Sequence, residues 1–282
     1  MKKILLSLAF LSLSSYAFTQ KIKDFSKIPS QVAQSKQELN FKFADSLAQE
    51  YINGYLLQLK PKDLMKKENL LFISENLNGT KNKAFKFFMK EQQKINAILG
   101  ADKAEYAIRS TIAKEYTPQE GEWLTKKPNW DLLQKQVSAK FGVIGAEMIY
   151  GKRMNYYSKI MDWANYGKYY LLYFEKALRR PEFNINHMSY YLVLYVSDQK
   201  VLKFAAEIVM KYAMEEWYQN NYAAWDTYAG LLYKIGKKEE AIDWEEKGLK
   251  AVKGGPNEKS FVDVLEKMKK GLPIWSTTPS NN

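Results

Sequence analysis

The stretch "NYAAWDTYAGLLYKIGKKEEAIDWEEKGLK", residues 221–250, reads as two helices folded back on one another. Trp225, Tyr228, Ala229 and Leu232 recur at helical spacing, Gly236 interrupts, and Ala241, Trp244 and Gly248 resume the pattern. Ala229 and Ala241 are small where the two helices have to cross. Trp225 and Leu232 fill the wider gaps on either side.

This order resembles the tetratricopeptide repeat, a helical hairpin whose stacked copies share a continuous core. Two departures stand out: Glu245, with Trp244 one place early, occupies the usual aromatic position, and Gly248 stands where alanine is usual. About one repeat upstream, "NHMSYYLVLYVSDQKVLKFAAEIVMKYAMEEW" sets Tyr190, Val193 and Leu194 on a first helix and Ala206, Met210 and Ala213 on a second. A second repeat is expected over 187–220. The amphipathic "NEKSFVDVLEKMKKG", with Phe261, Val264, Leu265 and Met268 on one side, is expected to cap the stack before Pro273.

Further upstream, Phe43, Leu47, Tyr51, Tyr55 and Leu59 recur every four residues and predict a helical stripe that Pro61 ends. In "NKAFKFFMKEQQKINAILG", Phe85, Phe88, Ile95 and Leu99 share a face and Gly100 stops the helix. Segments 68–116 and 128–176 share a loose helix–connector–helix pattern, no closer than two amphipathic helices show by chance. No run of alternating strands with hairpin dipeptides occurs. The expected fold is all-α, antiparallel helical hairpins stacked as a repeat array. Its expected organisation is a signal peptide over 1–17, a linker over 18–35, a helical array over 36–180, repeats with a capping helix over 181–272, and a tail over 273–282.

The leading "MKKILLSLAFLSLSSYA" has two lysines, an apolar run and small residues, and is too short to span a bilayer, which marks an export signal cut near Ala17. The mature chain is expected to be periplasmic, without a transmembrane segment. Loss of Lys2 and Lys3 lowers the net charge from +12 to +10. Outside the cytoplasm such an excess points to an anionic envelope component or an acidic protein rather than to nucleic acid. Absence of cysteine removes disulfides, thiol catalysis and cysteine-type metal sites.

Chemistry-bearing motifs are sparse. His187 is the lone histidine, near a helix start, where capping or packing suits it better than metal or triad chemistry. "KGGPNEK" lacks the spacing of a phosphate loop. Glu239-Glu240 and Glu245-Glu246 read as a solvated face between lysines. No cofactor and no metal is expected.

The aromatic run "YYSKIMDWANYGKYYLLYFEK" places Tyr166, Tyr169, Tyr170, Tyr173 and Phe174 on neighbouring turns. Packing between helices is one reading, and a ligand groove is the other. The candidate partner-binding residues are Tyr190, Trp225, Tyr228, Lys234, Trp163, Tyr166 and Tyr170. Lys83, Lys86, Lys90 and Lys94 form a basic stripe that is either solvated or docks an anionic partner.

Together "DWANYGKYYLLYFEK", "YLVLYVSDQKVLKFAAEIVMKY" and the opening hairpin are similar to the helical C-terminal region of exported thioredoxin-family proteins of Bacteroidetes-type bacteria. The resemblance covers roughly residues 40–270, and "WDTYAGLLYKIGKKEEAI" carries most of it. No Cys-X-X-Cys is present, so no redox residue is carried over. The expected function is a non-enzymatic binding or scaffold module that recognises a protein segment. The alternative is an envelope enzyme with paired carboxylates in an aromatic pocket acting on glycan, and a separately encoded thioredoxin is a further possible partner.

Overall fold

The computed structural model describes residues 24–100 and 102–275, and among these every regular element is helical and no strand forms. The fold is all-α, as expected. The expected export signal, the start of the expected linker and most of the expected tail lie outside the described residues. The described chain divides into two compact units, residues 24–60 and 61–275.

In the first unit a 3-10 turn, Phe25–Lys27, leads into α1, Ile28–Gln37, and then α2, Phe41–Gly54. The linker reading therefore fails from Ile28 onward. Pro29 sits in the first turn of α1, where a missing N–H is harmless. Ile28, Val32 and Ser35 are buried, and three residues are too few for the period to stand out among polar neighbours. The stripe expected on α2 is also displaced. Ala44, Ala48, Tyr51 and Ile52 are buried, while Phe43 and Tyr55 are exposed; α1 packs closely on α2, and alanine permits that approach where phenylalanine does not.

The second unit begins with α3, Pro61–Leu64, α4, Lys67–Glu75, α5, Lys83–Leu99, and α6, Lys103–Tyr116. Then follow α7, Trp123–Lys126, α8, Trp130–Lys159, α9, Trp163–Ala177, and α10, Ile185–Tyr195. Next, α11, Gln199–Phe204, runs through a π-helical turn, Ala205–Met210, into α12, Lys211–Glu216. The chain closes with α13, Tyr222–Lys234, α14, Lys238–Val252, and α15, Glu258–Lys270. Neighbours in sequence pack as pairs, α5 on α6, α8 on α9, α13 on α14 and α14 on α15, and α6 lies on α8 and α10 on α13.

Polar residues start these helices. The side chains of Asn129, Asp162, Asn184, Asp198 and Asn221 each accept an N–H of the following first turn, satisfying donors that a helix start leaves free. On α5, Phe85, Phe88, Ile95 and Leu99 are buried and Gly100 (φ +100°) ends the helix. One apolar core runs from Met154 to Met268, so the division expected at residue 180 falls inside a single packed body. Ala206, Met210, Ala213, Ala229 and Ala241 are fully buried. On α15, Phe261, Leu265 and Met268 are buried.

Gly248 explains one departure from the expected repeat pattern. A Cβ there would stand 2.3 Å from the Phe261 ring, so α15 approaches α14 across a position with no room for alanine.

Candidate functional site

The aromatic run on α9 is interior. Tyr166, Tyr170, Tyr173 and Phe174 are at most 1% exposed. Each buried hydroxyl has a partner: Tyr166 donates to the Met188 carbonyl (2.6 Å), Tyr170 pairs with Ser189 Oγ (2.8 Å), and Tyr173 accepts the Glu182 N–H (2.7 Å). Burial drives all three phenols above their usual range. Tyr166 and Tyr170 therefore cannot line a groove, and packing is the correct reading of the run.

The other sequence candidates are also mostly engaged. Trp225 and Tyr228 are each 7% exposed. Trp225 Nε1 donates to the Tyr218 carbonyl (2.9 Å), and Lys247 stands 4.1 Å above its ring. Lys234 Nζ donates to the carbonyls of Leu192, Val193 and Val196 at 3.2, 2.9 and 2.6 Å. It closes the C-terminus of α10, and burial lowers its ammonium to about 8. Trp163 is half-buried and stacked on Tyr195, ring centres 4.2 Å apart. Tyr190 is exposed beside a small cavity of about 80 Å³ that Asp226 also lines. His187 is exposed, edge-on to Tyr191. The groove expected from these residues is closed by their own packing.

Behind that small cavity lies a pair of acids. Glu245, expected on a solvated face, is fully buried, and neither of its oxygens receives a hydrogen bond from an N–H or hydroxyl. Its polar neighbour is the Asp226 carboxyl. Burial raises both above the usual carboxylate range, and the neighbouring Asp226 carboxyl raises Glu245 further.

The basic stripe faces solvent. Lys83, Lys86, Lys90 and Lys94 are exposed on α5, with Glu91 between the last two, 2.7 Å from Lys94 and 4.0 Å from Lys90. Lys86 and Lys90 flank a shallow hollow with Lys140, Phe85 and Phe141.

A larger concavity lies elsewhere among the described residues. A cleft of about 780 Å³ opens between the first half of α6, the 178–184 connection, the start of α10 and Trp217-Tyr218. A second hollow of about 200 Å³ continues along the later half of α6, and the two share Tyr106 and Glu182. Asp102, Tyr106, Arg109, Ser110, Ala113, Lys114 and Thr117, at helical spacing, place both hollows along one side of α6. Fourteen residues at 1.5 Å each make that helix about 21 Å long.

The core sets the walls of this groove. Tyr173 binds the 178–184 connection through Glu182. Gly151 admits Phe183, whose ring lies 2.6 Å from where a Cβ would stand. Trp225 grips the Tyr218 carbonyl, while the Tyr218 hydroxyl accepts the Asn186 N–H (3.3 Å) at the start of α10. Two sequence-chosen aromatic regions thus support the site without lining it.

Charge is concentrated in the wider part. Arg109, 5% exposed, bonds Glu147 at 2.8 Å, and its Nε–H has no acceptor. Arg180 bonds Glu105 at 2.5 Å; Glu105 is in turn held by Asn96. Burial raises the Glu147 carboxyl although Arg109 opposes it. Arg179 and Lys103 are exposed on the rim. Sequence reasoning missed this site because its floor is a mixed polar face of α6. The local signal was "RRPEFN", two arginines and a proline between two helices.

Among the described residues no cluster of three or more His, Asp or Glu could hold a metal ion, and no helix is long and apolar enough to cross a membrane. Comparison of the chain with protein-family models, curated proteins and solved structures finds no match.

Proposed function

We propose that this chain is an exported, non-enzymatic helical-repeat module of the cell envelope, its tetratricopeptide-like hairpins serving as a scaffold, that binds a segment of another protein. The observation that carries this reading is the groove floored by α6. Its two hollows adjoin at Tyr106 and Glu182, Tyr106 and Trp217 are exposed there, and α6 beside them is long enough to match about six residues of extended chain at 3.3 Å each. Large aromatic side chains left accessible in a concavity suit recognition. Export rests on the residues 1–17 pattern alone.

The test is photo-crosslinking in intact cells that produce the chain, with a benzophenone amino acid at Tyr106 and, as control, at Val143, which is similarly exposed. A protein adduct formed from position 106 and not from 143 supports the reading. Glycan adducts from 106, or protein adducts indifferent to position, overturn it.

The enzyme alternative has its nearest counterpart in Asp226 and Glu245. Glu245 is fully buried, whereas the acids of glycoside hydrolysis flank a bound sugar and the attacking water. The adjoining cavity of about 80 Å³ is also below the roughly 300 Å³ of ordinary ligand pockets. The stripe Lys83, Lys86, Lys90 and Lys94 is the proposed contact for an anionic envelope component, with affinity that falls as salt rises. A separate thioredoxin remains a candidate partner through the family resemblance.

A further inference from the structure

We propose that the segment taken by this groove pairs an acidic side chain with a bulky apolar one, the carboxylate seated among Arg109, Arg179 and Arg180. The apolar group then lies between Tyr106, Phe183 and Trp217. This inference rests on the segment-binding reading above and specifies its ligand.

The first argument is an unmet donor. Arg109 lines the cleft, is nineteen-twentieths buried, uses one arm on Glu147, and leaves its Nε–H without an acceptor. A buried donor with no partner is costly, and an entering oxygen relieves that cost. Arg180 is about a third exposed with one nitrogen on Glu105, so the rest of its fork is accessible. Arg179 projects from the rim. Asn184 and Ile185 line the same cavity at the start of α10, an eleven-residue helix whose N-terminus favours negative charge.

The second argument concerns which anion fits. Lys103 and the three arginines face Asp102 and Glu182 in the lining, but Glu105 and Glu147 stand directly behind Arg180 and Arg109. The neighbourhood is therefore close to neutral overall. A polyanion or phosphate, which depends on uncompensated charge, gains little there. A single planar carboxylate matches guanidinium forks at short range without needing net charge. The remaining lining is largely aromatic, and Phe183 is held by the Gly151 gap and by Tyr173 beneath it. That accounts for the apolar neighbour.

The experiment is selection of random displayed peptides on the immobilised full chain, followed by titration of synthetic copies of the enriched sequences. Enrichment of Asp or Glu within two positions of Phe, Trp, Tyr or Leu is expected. Replacing that acid by its amide is expected to weaken binding about tenfold or more, and Arg179→Gln to weaken it several-fold with an unchanged helical spectrum, since Arg179 is exposed. Enrichment of neutral or basic peptides that still compete for the groove overturns the carboxylate assignment and leaves the segment-binding reading intact. So does displacement of the peptide by equimolar inorganic phosphate. Absence of any enriched sequence, or binding unaffected by Tyr106→Glu, overturns the segment-binding reading itself.

Discussion

At the residue scale, Glu245 is the side chain whose surroundings most alter its chemistry. It is fully buried against Asp226, so the folded state holds a proton that the unfolded chain releases near the usual value of 4.5. A raised folded value means that the native state binds more protons over the intervening range, and stability falls as pH rises. We expect the unfolding free energy from urea titration to drop between about pH 5 and about pH 8, by roughly 1–3 kcal/mol. Glu245→Gln should flatten that decline, because the amide stays neutral and can still donate to Asp226. An unchanged slope in the variant would place the pH dependence elsewhere. Gly248 supplies a second residue-scale test. Helix propensity favours alanine over glycine by about 1 kcal/mol, yet the Phe261 ring leaves no room for the methyl. Overpacking of this kind costs about 1–3 kcal/mol, so Gly248→Ala should lower the thermal midpoint. A rise would mean that α15 yields freely.

At the element scale, two side chains hold helix ends and connections. Lys234 reaches from α13 to three carbonyls at the end of α10, supplying hydrogen bonds and positive charge where the helix dipole is negative. Lys234→Met should cost about 1–3 kcal/mol and speed amide exchange at the end of α10 more than elsewhere; uniform acceleration would argue against a cap. Tyr173 ties α9 to the 178–184 connection through the Glu182 N–H. Tyr173→Phe keeps the packing and removes only that bond. The expected loss is about 0.5–1.5 kcal/mol, with exchange at Glu182 rising. The legibility of elements followed the same logic. The α5 face was readable because Phe and Ile mark its buried side. The buried face of α2 was misread because alanine marks it, and alanine carries little hydrophobic signal.

At the scale of the whole molecule, the helical pairs do not stand alone. The outer surface of α13 packs on α10, where a Cβ on Gly230 would meet Val193 at 2.8 Å, and its core is continuous with the aromatic rings of α9. An excised 221–270 fragment leaves that face in water. Repeat units of this sort depend on neighbours, so the fragment should show little helix by circular dichroism at micromolar concentration, whereas the described residues of the intact chain are predominantly helical. A folded fragment would show that the opening hairpin is self-sufficient.

The sequence by itself determined the helical class, the α13–α14 hairpin with its buried Ala229 and Ala241, and the apolar face of α15. Each depends on local spacing, and such information lies within a few residues. Tertiary structure alone decided where concavity remains. Trp225, Tyr228, Tyr166 and Tyr170 have the composition of recognition residues but were drawn into the core, where aromatic area is worth most. The groove instead fell along a mixed face of α6, assembled from arginines, a proline-bearing connection and Trp217 that lie far apart in the chain, and no local periodicity marks a surface defined by what fails to pack on it.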